Sequence, residues 1–275
     1  MVLPQVTVGM LPLVPFDRRQ WVDHLVHQAH RPRLAGSFPQ LFSSANGNVL
    51  SRAAVDPVFR SAMLSMDGID ADGMPLVLAS QALSARALPE RCATTDLFHD
   101  IAARAEREAL SFYCLGADEQ TSLRAAQAIT KAYPELRLAG RHHGYFAADA
   151  EPAIVDAINA AAPDILWVGL GVPREQDFVL RHRRAFDRVG VIKTCGGLFD
   201  FLSGSRSRAP ELMQRMGCEW LYRLGLEPRR LFRRYAVTNL HASWLLLTGT
   251  LSPLETGSPM SEGQFSWLDG APLSL

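Results

Sequence analysis

Cysteine is scarce and scattered in this 275-residue chain: Cys92, Cys114, Cys195 and Cys218 stand apart without a CxxC pair. That spacing argues against a cysteine zinc site and offers no disulfide framework, so a reducing cytosol is the simplest home. Net charge is absent as well, with 28 Lys and Arg against 28 Asp and Glu, and no chain-wide field recruits nucleic acid. No run approaches the roughly 18 apolar residues of a spanning helix; "ASWLLLTGTL" is too short. The N-terminus lacks a charged start followed by an apolar core, so no signal peptide is expected. Neither GxGxxG nor GxxxxGK(S/T) occurs, which removes the dehydrogenase fingerprint and the P-loop. Any membrane contact is expected to be peripheral.

What is present is a folded-protein composition, 48% hydrophobic and 20% charged, in a chain near the upper length for one domain. Residues 1–38 are rich in Pro, Arg and His, with one helix expected around "RRQWVDHLVHQA". From Gln40 a rhythm begins: "QLFSSA" then "NVLSRAAV", "AMLSM" then "MPLVLASQAL", and later "LSFYCLG", "LRLAG", "DILWVGLG" and "VGVIKTCGG" between helix-sized stretches. Strand-sized runs alternating with amphipathic ones predict an α/β, Rossmann-like, mostly parallel sheet with helices on both faces. Thr95 and Asp96 are expected to cap a helix starting near Leu97, and Pro75 suits a first helical turn. The rhythm stops after Gly204. A boundary near Ser205–Pro210 divides an α/β body, 1–204, from a C-terminal helical appendage, 205–275.

Ligands bind outside the carboxyl ends of parallel strands. That rule directs attention to Ser44–Asn46, Asp70–Gly73, Gly116–Asp118, Gly140–Phe146, Gly169–Glu175 and Gly196–Asp200. Gly116, Gly169, Gly171 and Gly197 are candidates for close backbone approach to a phosphate. The stretch "SMDGIDADGM", 65–74, gathers Asp67, Asp70 and Asp72. Gly68 occupies a position where an EF-hand needs an acid, so that metal loop is not present. "DAD" resembles the DxD of metal-dependent sugar transferases, which have a different sheet layout. Asp70 is expected to cap the following helix and Asp72 to face the cleft. From the residues alone, a capping turn and a working carboxylate both stay open, ahead of a metal.

The chain resembles the WecG/TagA/CpsF family of bacterial glycosyltransferases from about Leu41 to Leu247. The resemblance is carried by "SAN" at 44–46, "DADGMPLV" at 70–77, "LPERCATTDL" at 88–97, "HHGYF" at 142–146 and "PDILWVGLGVP" at 163–173. "GGLFDFLSG" at 196–204 and "RAPELMQRMGCEWLYRLGLEPRRLFRRY" at 208–235 complete it. It implies inverting transfer of a hexose-type sugar from a UDP-sugar to a sugar on undecaprenyl diphosphate, for exopolysaccharide, capsule or teichoic-acid-type polymer. It implies no cofactor and no divalent metal. Asp72 matches the family's proposed base, and Asp70 stands where asparagine is more usual. Ser44 and Asn46 match a TxN pattern expected to touch the sugar or Asp72; "SAN" also reads as a helix N-cap. Arg91 is expected to face the departing diphosphate, Asp200 the uracil, and the His142–His143 pair, His143 above all, to shape the nucleotide pocket. "REQD" at 174–177 departs from the family's basic-Gln-Glu order, placing Glu175 where glutamine is usual. An amide that donates to a sugar hydroxyl is replaced there by an acceptor-only carboxylate.

The segment from Arg215 to Arg234 holds six arginines against two glutamates, a local charge of +4. Arg223, Arg229, Arg230, Arg233 and Arg234 alternate with Trp220, Tyr222, Phe232 and Tyr235. Each arginine near anionic lipid contributes about 1 kcal/mol. The resemblance favours membrane docking on the cytoplasmic face, with the lipid-linked acceptor brought to Asp72. The alternatives are a solvated helical face, packing in a homo-oligomer, and nucleic-acid binding, the last lacking any reader motif. Two other readings of the whole chain are a Rossmann-type oxidoreductase and a non-catalytic lipid- or nucleic-acid-binding protein.

Overall fold

The computed structural model describes residues 3–33, 36–210, 213, 219–226 and 228–250. A hairpin absent from the sequence expectation comes first: β1 (Val6–Val8) pairs antiparallel with β2 (Leu11–Leu13), Val6 opposite Leu13. Its two-residue turn is Gly9 and Met10, both at positive φ, the geometry that matches the twist of short hairpins. Pro12 fits this two-stranded ribbon because an edge position tolerates its missing N–H. α1 (Arg18–Ala29) follows where expected. Asp17 and Gln20 cap it reciprocally, and Trp21, Val22, Leu25, Val26 and Ala29 form its buried face.

Six parallel strands make the sheet: β3 (Gln40–Ala45), β4 (Gly68–Ala71), β5 (Ser111–Gly116), β6 (Arg137–His142), β7 (Ile165–Gly169) and β8 (Val191–Thr194). Their order is β4-β3-β8-β7-β5-β6. Alternate residues serve opposite faces, which is why such strands read as continuous apolar runs. Leu41, Leu166 and Val168 enter one core with α2 (Gly47–Val55), α3 (Pro57–Leu64), α4 (Met74–Leu83), α7 (Glu151–Ala161) and α8 (Arg174–His182). Phe42, Ile165 and Trp167 enter the other with α1, α5 (Thr94–Arg107), α6 (Glu119–Ala132) and α9 (Leu198–Leu202). α2 and α9 therefore leave the neighbouring strands β3 and β8 towards opposite faces, which opens a crevice at the carboxyl ends.

Three local expectations are corrected. "AMLSM" is the end of α3 and its cap rather than a strand, because Asp56 accepts from Phe59 N and Pro57 starts a helix there. The strand is "GIDA", all four residues buried. α5 begins at Thr94 without a side-chain cap, and Asp96 binds Arg208 instead, Oδ1 to Nη1 at 2.5 Å.

After Pro210 the described elements are helical, α10 (Glu219–Leu226) and α11 (Pro228–Gly249). The end of α11 shares the body's core: Leu245 and Leu246 join the α2 side, His241 Nδ1 meets Ser51 Oγ at 2.9 Å, and Met10 N donates to Gly249 O at 3.0 Å. Among the described residues no helix is long and apolar enough to cross a membrane.

Candidate functional site

The three aspartates of 65–74 separate into three roles. Asp67 Oδ2 accepts from Leu41 N at 2.7 Å and from Arg183 at 2.7 Å, tying the start of β4 to its surroundings. Asp70 is on β4, in register with Ser44, fully buried and 2.8 Å from Lys193 Nζ. It is not the cap of α4; Gly73 holds that position without a side-chain bond. Burial raises the Asp70 carboxyl above its ordinary value although Lys193 and Ser44 pull it down. Asp72, one residue past the strand, keeps 23% of its side chain exposed.

Asp72 is held by a returning loop. Cys92 N donates to Ala71 O at 2.8 Å, and Asp72 N to Ala45 O at 2.8 Å. The first anchor brings Arg91 and Thr94 back to the end of β4. Arg91 Nη2 lies 3.3 Å from Asp72 Oδ1, and Thr94 Oγ1 donates to Oδ2 at 3.3 Å. Ser44 Oγ reaches Asp70, Thr94 and Lys193 rather than Asp72 itself. Asn46 Oδ1 accepts from Asn48 N and Val49 N, so its side chain caps α2. Burial pushes the thiols of Cys92, Cys114 and Cys195 up, and none is a ready nucleophile at neutral pH.

A cavity of about 300 Å³ opens beyond β5, β7 and β8, lined by Gly169, Gly171, Gly197 and Asp200 with Gly144, Arg174, Gly196, Phe199 and Arg206. Two glycines explain its shape. A Cβ on Gly169 would sit 2.8 Å from Gly196 O and 3.0 Å from the Phe199 ring. At Gly116 it would sit 2.3 Å from Gly169 O, so Gly116 lets the two strand ends meet and is not itself in the lining. Arg174 donates to Gly144 O at 2.8 Å and Phe146 O at 3.0 Å, its guanidinium over the Phe146 ring. Arg206 lies 3.2 Å from Asp200.

Two further expectations differ from this geometry. Arg91 is at the Asp72 corner and not in the cavity lining, because the Cys92 anchor draws its loop to β4. His143 is outside the lining too; its Nδ1 accepts from Tyr145 N at 3.2 Å, shaping the turn that presents Gly144. For Arg223, Arg229, Arg230, Arg233 and Arg234 only helical backbone is described; their side chains lie outside the described residues. Among the described residues no three of His, Cys, Asp and Glu gather to hold a metal ion.

Sequence reasoning missed Lys193, Thr94, Arg174 and Arg206, and it left Glu175 without a role. Lys193 carried a signal: it is one of two lysines in the chain and interrupts an apolar run, "VIKTC". Glu175 Oε2 accepts from Gly171 N at 3.1 Å and Gly196 N at 3.0 Å, stapling together two loops of the cavity. Gln176 Nε2 supports it at 3.2 Å. Burial pushes the Glu175 carboxyl from 4.5 to about 7. A raised value means its stabilising contribution is complete below 4.5 and is lost as pH rises through 7, a span of about 3 kcal/mol. Glu175→Gln keeps an oxygen for both amides. Its melting temperature should fall less than the wild type's between pH 5 and 8; parallel curves would clear Glu175 of this role.

The sequence model of the glycosyl transferase WecG/TagA/CpsF family matches residues 7–255. The chain belongs to that family. The match takes in the N-terminal hairpin from Thr7 onward and the last described helix as well as the sheet. Two curated WecG/TagA/CpsF-like relatives bear the name N-acetylglucosaminyldiphosphoundecaprenol N-acetyl-beta-D-mannosaminyltransferase. The one from Bacillus spizizenii is 28% identical over 84% of this chain and 86% of its own length. The one from Bacillus subtilis is 28% identical over 85% and 90%. At the carboxyl edge of its sheet this family member has an accessible carboxylate just past β4 and a glycine-lined cavity at β5, β7 and β8.

Proposed function

We propose that the protein transfers a hexose-type sugar from a UDP-sugar to a sugar carried on undecaprenyl diphosphate, for an exopolysaccharide, capsule or teichoic-acid-type polymer. The observation that carries this reading is the pairing of the Asp72 carboxylate with the glycine cavity on the same sheet edge. β4 and β8 are separated only by β3, a lateral span of roughly 10 Å, which a diphosphate and one sugar ring bridge. The nucleotide occupies the cavity, with Arg206, Arg174 and loop amides beside the diphosphate. Arg91 and Thr94 hold Asp72 as an oriented acceptor. Asp72 takes the proton of the acceptor hydroxyl as its oxygen bonds the anomeric carbon, and UDP leaves from the opposite face with the bonding pair. The relatives' names support an N-acetylglucosaminyl lipid diphosphate as acceptor and N-acetylmannosamine as the first donor sugar to try. Such an acceptor places the enzyme peripherally at the inner membrane face, where the arginine-rich stretch of α10 and α11 meets anionic lipid.

Ligand-induced stabilisation tests the nucleotide half. UDP at a hundred times its Kd should stabilise by about 2.7 kcal/mol, raising the melting temperature by several degrees, whereas NAD and RNA should not. A larger shift with NAD would replace this reading with the oxidoreductase one.

A further inference from the structure

Lys193 and Asp70 form an ion pair in which both side chains are 0% exposed, and the transfer scheme above gives them no part. Two hydroxyls connect the pair to Asp72. Lys193 Nζ is 2.7 Å from Ser44 Oγ, Ser44 Oγ is 3.1 Å from Thr94 Oγ1, and Thr94 Oγ1 is 3.3 Å from Asp72 Oδ2.

Donor counting gives this chain a direction. An ammonium has three donors and no acceptor. Lys193 places all three, on Asp70 Oδ2 at 2.8 Å, Ser44 Oγ at 2.7 Å and Thr194 O at 3.3 Å. Ser44 Oγ therefore accepts from Lys193, and its single proton goes either to Thr94 or to Asp70 Oδ2, 3.2 Å away. An ionised Asp72 only accepts, so Thr94 gives it a proton, and Ser44, for which Asp70 Oδ2 is the competing acceptor, completes the chain when it turns to Thr94. Every bond then runs from the ammonium towards Asp72. Asp70 Oδ1, meanwhile, has no hydrogen-bond partner among the described residues. Replacing a buried ion pair by an apolar pair of similar volume is often neutral or stabilising; what this pair adds is an ammonium at the root of the chain.

We propose that Lys193 is a positioning residue for Asp72: through Ser44 and Thr94 it fixes the hydroxyl direction that keeps the Asp72 carboxylate ionised and aimed. The inference deepens the transferase reading and rests on it. When Asp72 takes the acceptor proton, its new O–H donates to Thr94, and both hydroxyls turn over towards Asp70. The proton stays on Asp72 until the site empties. Among the described residues the other titratable groups facing this array are Arg91, beside Asp72, the Cys92 thiol, and Glu175 and the Cys195 thiol, which both interact with Lys193; the variants below leave all four in place.

Asp70→Asn and the double variant Asp70→Asn/Lys193→Met differ only in the ammonium. Titration of 13C-carboxyl-labelled aspartates by NMR, with Asp72 assigned by Asp72→Asn, reads the Asp72 midpoint in the full chain without substrate. In Asp70→Asn the uncompensated ammonium should lower that midpoint by roughly one unit, and removing Lys193 should raise it again by at least as much. The acid limb of kcat should move in the same order, with the donor KM unchanged. Thr94→Val, which cuts the chain and spares the ion pair, should also raise the midpoint. Coincident midpoints in the two Asp70 variants, or an unmoved one in Thr94→Val, overturn the proposal. Midpoints ordered as stated in a protein that transfers no sugar would preserve the coupling and remove the transferase reading.

Discussion

Asp72→Asn should bind UDP as the wild type does and transfer sugar roughly a hundred to ten thousand times more slowly, the range lost with a general base. The substitution is nearly isosteric. An amide oxygen still accepts from Thr94, so the corner keeps its shape, but it cannot take a proton from the acceptor hydroxyl. Asp72 is not among the cavity's lining residues, which is why nucleotide affinity should not change. The measurement is a pair: UDP affinity by calorimetry and turnover with a short-chain lipid diphosphate sugar. Retained turnover removes Asp72 as the base. A joint loss of UDP affinity and turnover would instead mean that the corner and the cavity collapse together.

Which parts of this arrangement were legible in the sequence follows from how each is stabilised. The central strands could be read because both their faces are buried: "ILWVG" is apolar at every position and buried at every position. The glycine loops could be read because Gly116 and Gly169 leave no room for a Cβ beside neighbouring backbone, while Gly171 and Gly196 take positive φ. β4 was misread because Asp and Gly are poor strand formers, and what makes Asp70 acceptable in a strand is an ammonium from β8, 123 residues later in the chain. No local pattern announces that partner. The hairpin was not legible because its strands are three residues each, too short to show an alternation, and Pro12 is tolerated only at an edge, a fact of tertiary structure. Glu175 was visible as a departure from the family's order, yet its work is to accept amides from Gly171 and Gly196, and the second of these is fixed only when β8 docks beside β7. Local chemistry thus pointed to the carboxyl edge of the sheet, and the family resemblance to Asp72 on it. The pairings that tune it are non-local and needed coordinates.

The same buried pair sets a second large effect, on folding. Lys193→Met should lower the unfolding free energy by roughly 3–5 kcal/mol, the cost of leaving one member of a buried ion pair without its partner. At about 2–4 °C per kcal/mol for a domain near this size, the melting temperature should drop by on the order of 10 °C. The sign of its pH dependence is fixed. Burial already raises the Asp70 carboxyl, and loss of Lys193 raises it further. Stability tied to that group is present below the unfolded aspartate value, about 3.9, and is lost as pH rises through the folded value. The deficit should therefore be smaller at pH 5 than at pH 8. Adding Asp70→Asn should recover most of it at pH 8, because an amide beside methionine needs hydrogen bonds but no counter-charge. If Lys193→Met melts with the wild type at pH 8, Asp70 is neutral in the native protein, and the pair across β3 is a hydrogen bond rather than an ionic one.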